Sequence, residues 1–542
     1  MTSKRFIVVG LNQGHNGGCA IIVNGQIKCA IAEERLNRQR YSNGYINSLI
    51  YCLKSANIKL SEVDLFVFSS YGPNLSPHYS GDLPYLGIDS KKCIAVDHHL
   101  SHAYGSFLTS PFQKALIVII DGQGNEFMTE SYYAGDGSSI TKIGGNNPKR
   151  SPAKGIGRTY EAFTNFLGWT DDEAGKTMGL AAYGNPNYCK IPLFRLKEDK
   201  VEGDLNYTHE QGVIDFMRRK KVTFGMPYAK GKTDLSQHAA AYIQRQTEEI
   251  ILNLVKHLVR KTGLKNLCIG GGVGLNCLTN TRLLHESEIE NIFVLPASSD
   301  QGQALGNALY GYYFLTGQKS HITIETDYFG KSYSEKDILN TLKRHPWYIS
   351  NKIIPNKEFK YSKKNNVEKV AAQLIAVGKI VGWFQGGSEL GPRALGNRSI
   401  LADPRDLNSK EKLNKKIKKR EEFRPFAPSV LLEGSPSFFN IDIPSPFMLL
   451  APKVKPEVAQ LIPAVVHKDG TSRIQTVKKT QNERFYNLIN EFYKITNIPL
   501  ILNTSFNSQG PIVETPFNAL ATFLSTDMDF LIIDDYLISK SG

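Results

Sequence analysis

The chain opens with an apolar run, Ile7-Val8-Val9-Gly10, and then a loop rich in glycine, Asn12-Gln13-Gly14-His15-Asn16-Gly17-Gly18. Two further apolar segments, Cys19–Val23 and Gln26–Ala32, flank the pair Asn24-Gly25. An Asn-Gly pair between β-rich runs predicts a hairpin. The pattern therefore reads as strand Arg5–Gly10, glycine loop, strand, tight turn and strand. The same succession returns at Ala115–Ile120, which meets Asp121-Gly122-Gln123-Gly124 and then a hairpin-like pair around Ala134-Gly135-Asp136-Gly137. Used twice, it predicts two related halves, each offering a backbone cradle at a strand end.

Short buried strands are predicted at Val63–Ser69 and Cys93–Val96, and one long helix over residues 235–262. Strand Asn266–Ile269 runs into Gly270-Gly271-Gly272, followed by strand Ile292–Leu295 and helix Gln301–Phe314. Strands alternating with helices indicate an α/β domain. Polar Thr316–Ser320 and charged Lys357–Asn366 mark a transition. A second α/β unit then begins with helix Val367–Val377 and strand Ile380–Phe384, and ends in strand Pro499–Leu502 and an apolar tail, Phe530–Ile538. The expected domains are 1–345 and 346–542.

With 542 residues the chain is too long for one ordinary core, and 41% apolar with 21% charged residues is a globular composition. No run of 18 apolar residues occurs, so no membrane span is expected. The N-terminal apolar stretch is too short for a signal peptide and reads as a first strand. The seven cysteines are odd in number and scattered and form no Cys-x-x-Cys pair, so neither a disulfide framework nor a thiolate zinc site is implied, and a reducing cytoplasm fits. The net charge of +14 suits phosphate-bearing partners, either small anions or nucleic acid. The densest basic run, Lys410–Arg420, is open to two readings, a solvated helix face or a binding patch.

Three constellations could carry chemistry. In Asp97-His98-His99-Leu100-Ser101-His102, His98 and His102 share one face of a helix, the spacing of a metal-ligand pair. Asp121 and Asp300, each just past a strand, could complete a two-His, two-carboxylate set suited to iron, manganese or zinc; each is equally readable as a cap or turn carboxylate. Glycine loops at 14–18, 121–124 and 270–272 place amide N–H groups at strand ends, where an anion or ribose could approach. Lys176, in Glu173-Ala174-Gly175-Lys176-Thr177-Met178-Gly179, adds a lysine beside glycines without Walker spacing. Finally, Arg393, Arg398, Arg424 and Arg473 lie among short turns near apolar strands, where guanidinium forks suit phosphate.

These stretches together resemble the NodU/CmcH family of O-carbamoyltransferases. The motifs that carry the resemblance are Gly391–Arg405, Arg424-Pro425-Phe426-Ala427-Pro428, Asp469–Val477, Asn503-Thr504-Ser505-Phe506-Asn507, Glu33-Glu34-Arg35, His98–His102, Met178–Gly184 and Gly270–Asn276. The resemblance implies an α/β protein with an N-terminal Kae1-like domain, duplicated and of the actin/Hsp70 ATPase type, and a C-terminal YrdC-like domain. It implies that carbamoyl phosphate and ATP form carbamoyl-adenylate in the second domain. The carbamoyl group then passes to a small-molecule hydroxyl, such as that of a secondary metabolite, in the first.

Residue by residue, the resemblance implies a divalent metal, iron, on His98, His102, Asp121 and Asp300, with Mg2+ an option alongside ATP. It implies His15 as the base, and Arg473 and Ser505 as catalytic groups. Nucleotide and phosphate contacts fall on Gly122, Lys176, Gly270, Gly271, Gly272, Asn276, Arg393, Arg398, Lys418, Arg424, Arg473, Asn503 and Ser505. Only the Lys418 end of the basic run is expected to face this site. Where the family's first loop reads His-Asp, this chain has His15-Asn16. The expected partner is a small-molecule acceptor, with a homodimer as an option and neither nucleic acid nor membrane. The alternatives are a tRNA threonylcarbamoyladenosine-type enzyme, since Kae1 and YrdC relatives modify tRNA, and a non-catalytic Hsp70-like ATP-binding module.

Overall fold

The computed structural model describes residues 5–70, 81–137, 139–148, 151–225, 234–317, 321–343 and 358–541. The chain divides into two compact units. Unit 1 holds Met1–Glu34 and Tyr41–Ile324; unit 2 holds Glu325–Gly542 and takes in the short segment Arg35–Arg40. The division expected at 345/346 lies outside the described residues. The excursion is anchored in unit 2 by main-chain acceptors: Arg35 donates to the Gly391 carbonyl at 2.6 Å, and Arg38 to those of Pro511 and Ile512, both at 2.6 Å.

Unit 1 is built on two five-stranded sheets. In the first, β1 (Ile7–Asn12), β2 (Gly18–Val23) and β3 (Gln26–Ala32) form an antiparallel meander, and β4 (Leu65–Ser70) and β5 (Cys93–Asp97) extend it in parallel from β1. The order is β3-β2-β1-β4-β5. In the second, β6 (Lys114–Ile120), β7 (Glu130–Asp136) and β8 (Ser139–Asn146) repeat the meander, while β11 (Asn266–Gly270) and β12 (Asn291–Val294) add in parallel from β6. Its order, β8-β7-β6-β11-β12, is the same topology again. This is the duplicated fold that the Kae1-like resemblance implied. A small separate hairpin, β9 (Phe194–Lys197) and β10 (Lys200–Gly203), has no counterpart in the sequence reading.

The meander turn is of the mirror-image hairpin type, since Asn24 and Gly25 have φ of 49° and 77°. All of β1 and β2 is buried. Helix Gln303–Thr316 packs on β1, β2 and β4, and a Cβ at Gly10 would stand 2.0 Å from the Ala304 carbonyl. The backbones meet at a distance only glycine permits.

Unit 2 is an eight-stranded mixed sheet, ordered β13-β20-β19-β14-β15-β18-β16-β17. Its strands are β13 (Phe359–Lys363), β14 (Val381–Phe384), β15 (Arg398–Ala402), β16 (Ala427–Leu431), β17 (Gln475–Val477), β18 (Leu500–Ser505), β19 (Phe530–Ile533) and β20 (Tyr536–Lys540). The apolar tail is thus a hairpin: Asp534 takes φ 52° and turns β19 back as β20. Three motif segments to which the sequence reading assigned no strand (Arg398 onward, Ala427 onward and Gln475 onward) are buried strands of this sheet, β15 in its middle and β17 at its edge.

Candidate functional site

In unit 1, Asp97 ends β5 and caps the next helix, accepting a hydrogen bond from the Leu100 N–H at 2.9 Å. That cap starts helix His98–Leu108 where it puts His98 and His102 one turn apart on the same face. Asp121 leaves the end of β6, and Asp300 opens the turn before helix Gln303–Thr316. Chain ends of both repeated halves converge here. His98 Nε2 lies 2.9 Å from Asp121 Oδ2 and 3.5 Å from Asp300 Oδ1; His102 Nε2 lies 3.4 and 3.3 Å from the same atoms. All four candidate ligand atoms fall within 4.8 Å of one another, and no other such group of three or more occurs among the described residues.

The residues between these four hold them still. The Asn125 carboxamide accepts from the His98 N–H, and Gln303 donates to the His98 carbonyl, both at 3.0 Å. The second oxygen of Asp121 accepts the Gly272 N–H at 3.2 Å. Asn12, at the end of β1, donates to the Asp300 carbonyl at 3.2 Å.

Burial disfavours both imidazoliums, but Asp300 and Asp121 outweigh it and hold His98 and His102 above the ordinary histidine range. Burial would likewise raise both carboxyls; the facing histidines outweigh it and hold Asp121 and Asp300 low. Each pair thus favours the charged form of the other, and a divalent cation would take the place of the histidine protons. Two nitrogens and two carboxylate oxygens at this spacing fit a divalent transition metal.

The glycine triplet sits against this quartet. Gly271 has φ 83°, and a Cβ there would stand 2.3 Å from the Ile120 carbonyl, so the turn needs glycine. Gly270 is equally tight: a Cβ would lie 2.6 Å from the Ser106 hydroxyl. The Asn276 side chain caps helix Cys277–Glu286 and exchanges two 3.0 Å hydrogen bonds with Gln244. Gly122 carries on its face the pair Arg158–Glu161, joined at 2.8 Å. Burial, then Asp171 and Asp121, push Glu161 up to about 7 against the pull of Arg158. Lys176 pairs with Glu173 at 2.7 Å.

His15 projects from the first glycine loop with its side chain 47% exposed, and its Nε2 lies 2.8 Å from Asp172 Oδ1. The hydrogen bond to Asp172 raises His15, opposed by burial and reinforced by the charges of Asp172, Asp300 and Asp121. Asp172 and the Arg158–Glu161 pair were not found from sequence. Each stands beside a glycine-bearing stretch, but only the tertiary fold brings them to the loops.

In unit 2 motif residues gather at the C-terminal end of β18. Lys418, at the end of a π-helical turn, is 3% exposed and sends its ammonium to the Ser505 carbonyl, the Ser505 hydroxyl at 3.2 Å, the Asn507 carbonyl at 3.0 Å and Asn507 Oδ1 at 2.7 Å. Burial, then Arg420, Arg424 and Arg40, push Lys418 well below the lysine range. Three of its acceptors are carbonyl-type oxygens that can only accept, and only the ammonium form has a proton for each. Arg420 was missed as a site residue although it belongs to the basic run. It covers the Phe426 ring at 4.5 Å, donates to Asn414 at 2.7 Å, and is itself pushed down by burial and by Arg424 and Arg473.

Neither Lys418 nor Arg420 has a carboxylate within ion-pair distance among the described residues. Arg424 has Glu421 at 3.8 Å. Asn503 braces the Arg393 loop, donating to the Ala394 carbonyl at 3.0 Å. Within the basic run Lys415 and Lys416 are exposed, and Lys415 pairs with Glu411 at 2.6 Å, whereas Lys410 and Lys412 are half-buried.

Arg398 departs from the expectation of a phosphate contact. It is fully buried, lies 3.6 Å over the Phe384 ring, and donates to the carbonyls of Gln385, Gly386, Asn397 and Glu514. Its guanidinium ties four main-chain carbonyls from three backbone segments together. The sequence shows an arginine; its partners, being backbone, leave no mark there.

The family description Carbamoyltransferase N-terminus matches residues 78–309, and Carbamoyltransferase C-terminus matches 372–540. An uncharacterised protein of Synechocystis sp. is 34% identical, with 97% of this chain and 95% of that protein covered. Nodulation protein NolNO of Sinorhizobium fredii is 34% identical over 97% of this chain and 79% of that protein, and nodulation protein U of the same species is 27% identical over 93% and 94%. No helix among the described residues is long and apolar enough to cross a membrane.

Proposed function

Because the chain belongs to the carbamoyltransferase family, we propose that it carries the carbamoyl group of carbamoyl phosphate, through an ATP-derived carbamoyl-adenylate, to a hydroxyl of a small-molecule secondary metabolite. The observation that carries this reading is the cation cluster of unit 2. Lys418 and Arg420 lack carboxylate partners among the described residues, and Arg424 and Arg473 add like charge. Buried charge without compensation is costly, and a polyanionic ligand removes that cost. Carbamoyl phosphate and the ATP triphosphate supply such charge.

In the first step water adds to the phosphorus of carbamoyl phosphate, the bond from that phosphorus to the carbamoyl oxygen breaks, and carbamate and inorganic phosphate separate as the water proton passes to solvent. The carbamate oxygen then attacks the α-phosphorus of ATP and pyrophosphate departs. Lys418, Arg420, Arg424 and Arg473 hold the phosphates and neutralise the developing charge, with Ser505 and Asn507 fixing the Lys418 ammonium. In the second step the acceptor oxygen bonds to the carbamoyl carbon, the bond from that carbon to the phosphate oxygen breaks, and AMP leaves with the electron pair. Gly270–Gly272 and Gly122 let the adenylate approach the backbone, and His15 takes the hydroxyl proton. His98, His102, Asp121 and Asp300 would hold a divalent metal, iron by family resemblance, which when bound supplies Lewis-acid polarisation of the carbamoyl or phosphate oxygens.

The test is pyrophosphate release from ATP that depends on carbamoyl phosphate and not on tRNA, followed by mass spectrometry of a metabolite extract for a gain of one carbamoyl group. Pyrophosphate release that requires tRNA, or none at all, contradicts the reading.

A further inference from the structure

The loop that carries His15 lacks the acidic residue that follows the histidine in the family pattern. Asn16 stands there, buried, with φ 54°, its Oδ1 unpartnered among the described residues. An amide cannot hold negative charge beside the imidazole. The carboxylate reaches His15 from elsewhere in unit 1. Asp172 Oδ1 stands 2.8 Å from His15 Nε2, and the two side chains are 29% and 47% exposed.

Asp172 is held in place. It belongs to the short turn Asp171–Glu173, where Glu173 closes back on the Thr170 N–H at 3.2 Å. Tyr41 bridges the pair: its hydroxyl donates to the Asp172 carbonyl at 3.1 Å, and its ring stacks on His15 with centroids 6.0 Å apart and 20° between planes. The imidazole is therefore packed on one face and hydrogen-bonded at Nε2, and no described residue bonds its Nδ1.

We propose that Asp172 is the positioning residue for His15. It fixes the Nε2–H tautomer and stabilises the imidazolium, so that Nδ1 carries the lone pair that takes the proton of the acceptor hydroxyl. As the acceptor oxygen bonds to the carbamoyl carbon and AMP departs with the electron pair, that proton moves to Nδ1 and the resulting charge faces Asp172. Carboxylate–histidine hydrogen bonds set tautomer and orientation. Asp172 is the carboxylate in contact with His15, and the charges of Asp300 and Asp121 act in the same direction. This inference rests on the proposed transfer reaction and on His15 as its proton acceptor.

The experiment records ring 15N shifts of the full-length protein in wild type, His15→Ala (to identify the signals), Asp172→Ala and Asp172→Glu. AMP release with water as acceptor, given ATP and carbamoyl phosphate, is measured alongside. The wild type is expected to show the Nε2–H tautomer at high pH. Asp172→Ala is expected to lose that preference, to lower the His15 titration midpoint, and to slow AMP release about tenfold or more with pyrophosphate release unchanged. Asp172→Glu, which keeps a carboxylate, is expected to recover part of both. Unchanged tautomer and titration in Asp172→Ala overturn the inference alone. Wild-type AMP release in His15→Ala removes His15 as proton acceptor, and this inference with it.

Discussion

The two chemical centres of this chain solve the problem of buried charge in opposite ways. In unit 1, His98 and His102 face Asp121 and Asp300, and each sign is answered within the quartet. In unit 2, Lys418 and Arg420 are sunk among further arginines and reach only neutral oxygens and a ring. A balanced quartet can fold and wait for its ion. An unbalanced cluster is held in place by the surrounding fold at a cost in stability, which its ligand then relieves. Pre-paid strain of that kind suits a site that must grip polyanions, while a balanced quartet suits one that must hold a metal.

The largest effect should come from removing a metal ligand. His102→Ala is expected to lower metal affinity by more than about a hundredfold, since even residues behind the ligands cost 10- to 100-fold. Metal analysis after dialysis checks this, and full occupancy would break the assignment of unit 1. Next, Lys418→Ala should lower carbamoyl-phosphate-dependent pyrophosphate release by about 10²- to 10³-fold, the cost of one preorganised donor. Added pyrophosphate is expected to raise the wild-type melting temperature, and Lys418→Ala to abolish that rise. An unchanged pyrophosphate response would mean that the cluster is not the anion site.

A third test probes unit 2 through acid rather than base. Asp327 is fully buried, with Oδ2 accepting the Gly391 N–H at 2.8 Å and Oδ1 unpartnered among the described residues. Burial, opposed by that hydrogen bond and helped by Glu389, pushes it up to about 8. The unfolded chain loses this proton near the ordinary carboxyl value and the folded chain keeps it until about pH 8. Folding stability therefore falls as pH rises through that window, by about 1.4 kcal/mol per unit at most, and levels off above it. Asp327→Asn should match the wild type near pH 4 and grow more stable than it towards pH 8. Denaturant midpoints across the range measure the difference, and a constant gap would contradict it. The smallest effect is expected at the rim: Lys415→Gln with Lys416→Gln should leave both half-reactions within about twofold, because exposed charges contribute little.

The duplicated fold was legible because its signal is local. Asn24-Gly25 announces a hairpin, and the strand–loop–hairpin succession repeats within the reach of the eye. The quartet was legible for a related reason: His98 and His102 are a helical pair, Asp121 follows a strand directly, and Asp300 opens the turn between a strand and a helix. Asp172 left no such mark, since its contact with His15 exists only once helices and sheets have packed. Arg398 was misread for the opposite reason. Its side chain is the type that binds phosphate, but its partners are main-chain carbonyls, which every residue possesses. The hairpin β19–β20 was read as one apolar tail because Asp534-Asp535, though polar, carries no glycine to announce the turn.

The separation of the two centres into two half-reactions is tested most directly by one measurement, carbamoyl-phosphate-dependent pyrophosphate release in His98→Ala set against Arg473→Ala. The account predicts that His98→Ala releases pyrophosphate within about twofold of wild type while yielding no carbamoylated product, and that Arg473→Ala releases none. A folded His98→Ala protein that loses pyrophosphate release as completely as Arg473→Ala would contradict it.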